Sequence, residues 1–214
     1  MFLVFLLASS FIIAFCYAVF CVVSGRFSVF QVIVCFFCSL VAVFCASLLQ
    51  TFLSSFNLTQ SILAQRVFSA FIQAALIEEM AKLFFIWILF VTLFKQKTCS
   101  SFLSGALLFA LFFSSFETVA YGISSPDIIV IRSLTALPLH GAATVLAAST
   151  LYPCNSKKVF RFLPIVIAVL GHGLFTFSMD TGNLLILGLV SLSGLVGSAF
   201  WYTTVYKENE GSRN

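Results

Sequence analysis

Charge is what this chain has least of. Of its 214 residues, 8% are Asp, Glu, Lys or Arg and 61% are hydrophobic, where soluble domains hold roughly 25% and 45–50%. A soluble fold of this size has too little interior to hide that much apolar surface. Lipid must cover most of it, which excludes a soluble enzyme or binding domain. Polar linkers, internal repeats and soluble-domain segments are lacking too. Acidic residues number 7 and histidines 2, so any ionisable chemistry rests on very few positions. The net charge of +4 reflects topology, as argued below, and carries no nucleic-acid signal.

What is present is a succession of apolar runs, each about 20 residues long and so long enough to cross the hydrocarbon as a helix. They show no period-2 alternation, and backbone groups in lipid must be satisfied internally, so helices are expected rather than a barrel. The expectation is an all-α, polytopic bundle of about seven spans, near 2–24, 28–53, 71–94, 102–124, 128–152, 159–180 and 183–206. Residues 1–206 form one integral membrane domain, and 207–214 a short polar tail. The stretch 58–70 reads as an amphipathic lead-in to the third span. The first span lacks a basic n-region and a small-residue cleavage site, and is taken as a retained helix.

Loop charges orient the bundle. With seven spans, one side carries Arg26, Lys95, Lys97, Lys157, Lys158, Arg161, Lys207 and Arg213; the other carries Arg66, Asp127 and Asp180. The positive-inside rule then places the N-terminus outside and the C-terminus in the cytoplasm. Cys16, Cys21, Cys35, Cys38 and Cys45 fall within the first two spans. Cys35 and Cys38 have metal-ligand spacing, but no second pair or His accompanies them. Small packed hydrophobes are the better reading.

Seven ionisable residues remain inside the spans: Glu78, Glu79, Lys82, Glu117, Arg132, His140 and His172. A charge near a helix centre costs about 2.5–3.5 kcal/mol, so five unpaired charges would cost on the order of 12–17 kcal/mol. They must face one another or a wet cavity. At 1.5 Å per residue, Glu79, Glu117, His140 and His172 all lie roughly 18–22 Å from the cytoplasmic helix ends. Four helices therefore bring acids or imidazoles to one level, and scattered structural residues would have no reason to share a depth. Glu78 and Lys82 are spaced i,i+4 with the acid first, a favourable intrahelical pair, which leaves Glu79 to face a site. Tyr121, one turn beyond Glu117, is in reach of its carboxylate. Pro138 is expected to kink the fifth span just before His140. Gly171 and Gly173 allow a neighbouring helix to approach His172. Arg132, four residues into its span, is expected to snorkel to the outer interface.

At these residues the sequence resembles the PrsW family of intramembrane proteases, within the wider superfamily that includes the CAAX prenyl proteases. The matching pieces are Glu78-Glu79-Met80-Ala81-Lys82, like the family's EExxK; Phe116-Glu117; Arg132 followed by His140-Gly141; and Gly171-His172-Gly173-Leu174-Phe175. They fall in the family's order over roughly 70–180. Two positions depart from the pattern: Thr118 stands where Asn is frequent, and Thr176 where Asp or Asn is common.

The resemblance implies hydrolysis of peptide bonds within the membrane of a bacterial cell, on a membrane-embedded protein substrate, with regulatory proteolysis of the anti-sigma-factor kind as the role known in the family. It implies catalytic roles for Glu78, Glu79, Glu117, His140 and His172, with Lys82, Tyr121, Arg132 and Thr176 in support. One carboxylate of Glu78-Glu79 would activate a water, Glu117 and His140 would bind or polarise it, and His172 would stabilise the oxyanion. A zinc site drawn from Glu79, Glu117, His140 and His172 is open. The absence of an HExxH helix tilts the expectation towards a metal-free, glutamic-type reaction. A proton-coupled carrier, a bis-His haem protein and a catalytically degenerate family member are the competing readings.

Overall fold

The computed structural model describes residues 8–55, 61–126, 128–151, 162–183, 185–194 and 196–197. The proposed tail at 207–214 lies outside them, as do Asp127, Cys154, Lys157, Lys158, Arg161 and the ends of the first and last expected spans. Seven helices and no strand occur among the described residues. They are α1 (Ile12–Val23), α2 (Val29–Ser54), α3 (residues 62–93), α4 (Cys99–Ser124), α5 (Ile128–Ala148), α6 (Leu163–Thr181) and α7 (Leu185–Gly194). Four of them, α2, α4, α5 and α6, are long and apolar enough to cross a membrane.

Local chemistry sets the ends. Ser28 and Gln31 form a reciprocal capping box at the start of α2, satisfying two otherwise orphaned N–H groups. Thr98 accepts from the Ser101 N–H at the start of α4. Gly182 ends α6 in the left-handed conformation, at φ 68°, where a side chain would be strained.

α3 is the irregular element. Two α-helical stretches, Ile62–Phe68 and Ile77–Ile86, alternate with two π-helical ones, Ser69–Leu76 and Trp87–Leu93. The lead-in expected at 58–70 is, from Ile62 onward, part of this continuous helix. Glu78, Glu79 and Lys82 sit in its central α-helical stretch.

α4 is the hub, packing against α1, α2, α3 and α5. Its Phe102, Phe109, Phe112 and Phe113 are fully buried, so phenylalanine fills the core as well as the outer shell. α1 and α2 contribute small-residue seams. Ala14, Ala18 and Cys21 on α1 and Cys35, Ser39, Ala42 and Ala46 on α2 are buried at helical spacing, which lets backbones approach closely. Phe30, Phe37 and Phe44 on the opposite face of α2 are exposed, as a lipid-facing stripe would be. Cys35 is thus a packing residue. No described cysteine joins the group of Glu and His residues that is arranged to hold a metal.

Candidate active site

The ionisable residues meet inside the bundle. Glu78 and Glu79 come from α3, Glu117 from α4, His140 from α5 and His172 from α6, and none is more than 9% exposed. The matched depths in the sequence correspond to a shared centre in space.

Glu79 is the most completely bonded. Its Oε1 accepts from Lys82 Nζ at 2.8 Å and lies 3.0 Å from His172 Nδ1, while Oε2 accepts from Thr144 Oγ1 at 3.3 Å. Lys82 also reaches His140 Nδ1 at 2.8 Å and stands 4.5 Å above the Phe113 ring. The sequence pairs Lys82 with Glu78 and leaves Glu79 free; the structure reverses this. Lys82 is 3.9 Å from Glu78 Oε2, because its ammonium is drawn across to His140 and meets Glu79 on the way.

Glu78 is therefore the freer carboxylate. Gln50 of α2 donates to its Oε1 at 2.9 Å, while Oε2 is buried with no hydrogen-bond partner and faces His172 Nε2 at 3.6 Å. Glu117 accepts from Arg132 through Oε1 at 2.8 Å. Its Oε2 lies 2.9 Å from His140 Nε2 but forms no aligned hydrogen bond.

Arg132 does not snorkel. It is 7% exposed and turned inward, because Glu117 offers it a buried counter-charge. Tyr121 turns its ring face to this guanidinium at 4.1 Å, in place of the expected hydroxyl contact with Glu117. α5 runs unbroken through Pro138. Of the two glycines beside His172, only Gly173 mediates an approach: a Cβ there would lie 2.4 Å from the Phe71 ring, whereas Gly171 has nothing within 4 Å.

A cavity of about 230 Å³ opens onto Glu78, Glu117, Arg132, His140, His172 and Thr176. Thr176, the second departure from the family pattern, thus borders the centre. Thr118 is fully buried with an unpartnered hydroxyl. Sequence reasoning missed Gln50 and Thr144. Amide and hydroxyl side chains are ordinary in membrane helices, so only their matching depth on α2 and α5 could have marked them.

The arrangement suits a cation. Donor atoms of Glu78, His140 and His172 all lie within 4.8 Å of one another, a His₂Glu set of the kind that leaves a zinc position open. Two observations fit a metal: the orphaned Glu78 Oε2, and Glu79 holding His172 by Nδ1 so that Nε2 is presented, the usual support for a ligating imidazole. Glu79 and Glu117, which the sequence offers as ligands, instead buttress His172 and flank His140. The His140 and His172 rings meet edge to face with centroids 4.6 Å apart, which leaves no room for a porphyrin between them.

Comparison with known proteins agrees with the geometry. The model of the PrsW family of intramembrane metalloproteases matches residues 6–204, so the likeness extends beyond the four central helices to both ends of the bundle. No curated protein and no solved structure matches. With a match over nearly its whole length, the chain belongs to the PrsW family of intramembrane metalloproteases.

Proposed function

We propose that the protein is an intramembrane endopeptidase that hydrolyses peptide bonds of membrane-embedded protein substrates, with Glu78, His140 and His172 holding a zinc ion. The single observation that carries this reading is the convergence of those three donor sets within 4.8 Å in a buried centre that opens onto a cavity. The metal would supply Lewis-acid polarisation of the carbonyl and a water activated at neutral pH.

The chain's own residues do the rest. Glu79 fixes the His172 ring through Nδ1, and Lys82 in turn holds the Glu79 carboxylate. Glu117, with Oε2 turned to the centre and Oε1 anchored on Arg132, is the general base that takes the proton of the attacking water and returns it to the leaving amine. The cavity admits that water.

A metal-free version of the same reaction is favoured by one observation. Lys82 donating to His140 Nδ1 puts that ring's own proton on Nε2, making it a donor to the developing oxyanion rather than a ligand. Glu78, with its free oxygen, would then be the base in a glutamic-type mechanism.

We take the bundle as seven spans with the N-terminus outside and the C-terminus cytoplasmic, in a bacterial cytoplasmic membrane. The loop charges support the orientation, and the family supports a place in a membrane. Membrane segments of a regulatory protein, of the anti-sigma-factor kind, are the substrate class that the family suggests.

The test is cleavage of a panel of single-span reporters in membranes. Glu78→Gln, Glu117→Gln, His140→Ala and His172→Ala are each expected to lower cleavage at least about 100-fold with expression unchanged. A strong zinc chelator abolishes activity under the metal reading and leaves it intact under the glutamic one. Variants that all cleave like wild type would overturn both.

A further inference from the structure

The recognisable motifs lie on α3 to α6, yet one contact at the centre comes from α2. Most other polar side chains of that helix are used locally. Gln31 is committed to the cap, and the hydroxyls of Ser39, Thr51 and Ser54 return to carbonyls of their own helix. Gln50 instead crosses to α3 and donates through Nε2 to Glu78 Oε1 at 2.9 Å. The amide orientation follows from chemistry, since an ionised carboxylate only accepts and the NH₂ end must face it.

The three carboxylates differ in what holds them. Glu79 is tied by the Lys82 ammonium and Glu117 by the Arg132 guanidinium, each at 2.8 Å. Glu78 is tied by a neutral amide, which fixes its direction without cancelling its charge. Its nearest cation, Lys82, stands 3.9 Å from Oε2, beyond hydrogen-bond length. Released from Gln50, the side chain would be free to rotate and close that gap. Oε2 would then collapse onto the ammonium and leave the centre. Gln50 and Glu78 also line a second cavity, of about 290 Å³, between α2 and α4, so the Glu78 side chain is not packed in on that side.

We propose that Gln50 is a positioning residue for the reaction: it tethers Oε1 of Glu78 so that Oε2 stays turned towards His140 and His172. This rests on the protease reading above, with Glu78 at the reacting centre.

The experiment measures zinc affinity by chelator competition, and kcat and KM on a reporter, in the detergent-solubilised full chain. Gln50→Met keeps the shape and removes the donor; Gln50→Asn keeps the amide but is one methylene too short. Both are expected to weaken zinc binding and lower kcat by roughly 10–100-fold, with KM within about twofold of wild type. In a Glu78→Gln background, adding Gln50→Met changes zinc affinity by less than about twofold, because the residue acts through Glu78. Melting in detergent checks each fold, and Gln50→Asn carries the test if Gln50→Met is misfolded.

The inference is overturned if both variants bind zinc and turn over like wild type. It is overturned equally if the full loss persists in the Glu78→Gln background. If wild type cleaves without zinc, the kcat–KM split decides alone. A wild type that neither cleaves nor binds zinc overturns the protease reading, and this inference with it.

Discussion

At the scale of single residues, the two adjacent glutamates do opposite work. Glu79 is fully buried against Lys82, His172 and Thr144, so Glu79→Gln strands an ammonium in the core. Breaking a buried pair from one side costs about 3–5 kcal/mol. Thermal melting in detergent should therefore fall steeply for Glu79→Gln, and the Lys82→Met, Glu79→Gln double variant should recover part of the loss. Glu78, by contrast, is hydrogen-bonded by the Gln50 amide and stands 3.9 Å from the nearest ammonium, so Glu78→Gln should cost about 1 kcal/mol while abolishing cleavage. Equal melting losses for the two single variants would refute this division. The sequence already exposes which residues matter, because an ionisable group in an apolar run is conspicuous. It does not expose who holds whom. Spacing alone favours Glu78 as the partner of Lys82, and only the position of His140 on another helix turns the ammonium towards Glu79.

At the scale of elements, the α3–α6 contact aims His172. The π-helical stretch Ser69–Leu76 places Phe71 against α6 where Gly173 has no side chain, and π segments are frequent at functional sites. Gly173→Leu must push the helices apart or displace the ring, at about 1–3 kcal/mol, and should reduce cleavage by shifting His172 next door. A Phe71→Ala replacement should restore part of it. Gly171→Ala meets open space and replaces a poor helix former with the best one, so melting should be unchanged or higher. Comparing the melting temperatures and cleavage rates of these variants checks both statements. In the sequence the two glycines are indistinguishable. The π turns have no residue signature either, because they arise from how α3 packs rather than from propensity.

For the whole molecule, the direction of access decides where a substrate is cut. The polar cavity is bordered by Tyr121 near the end of α4, Ile128 and Arg132 at the start of α5, and Asp180 in the last turn of α6. The α2–α4 cavity reaches Ser124 at the same end. These two approaches to the centre come from one end of the bundle, the end opposite the Lys95–Lys97 loop, while a further cavity between α5, α6 and α7 also reaches His172. In the orientation proposed from the positive-inside rule that end is extracytoplasmic; water would then enter from outside and cleavage would fall in the outer half of the bilayer. The helical, membrane-embedded class is legible from composition, but this directional opening is not, because it depends on which helix faces leave space between them. In a variant with its native cysteines replaced, Ser125→Cys should react with a membrane-impermeant maleimide in intact cells, and Gln96→Cys only after the membrane is opened. The reverse pattern would invert the bundle. Water and cleavage would then move to the cytoplasmic half, with the chemistry at Glu78, His140 and His172 unaltered.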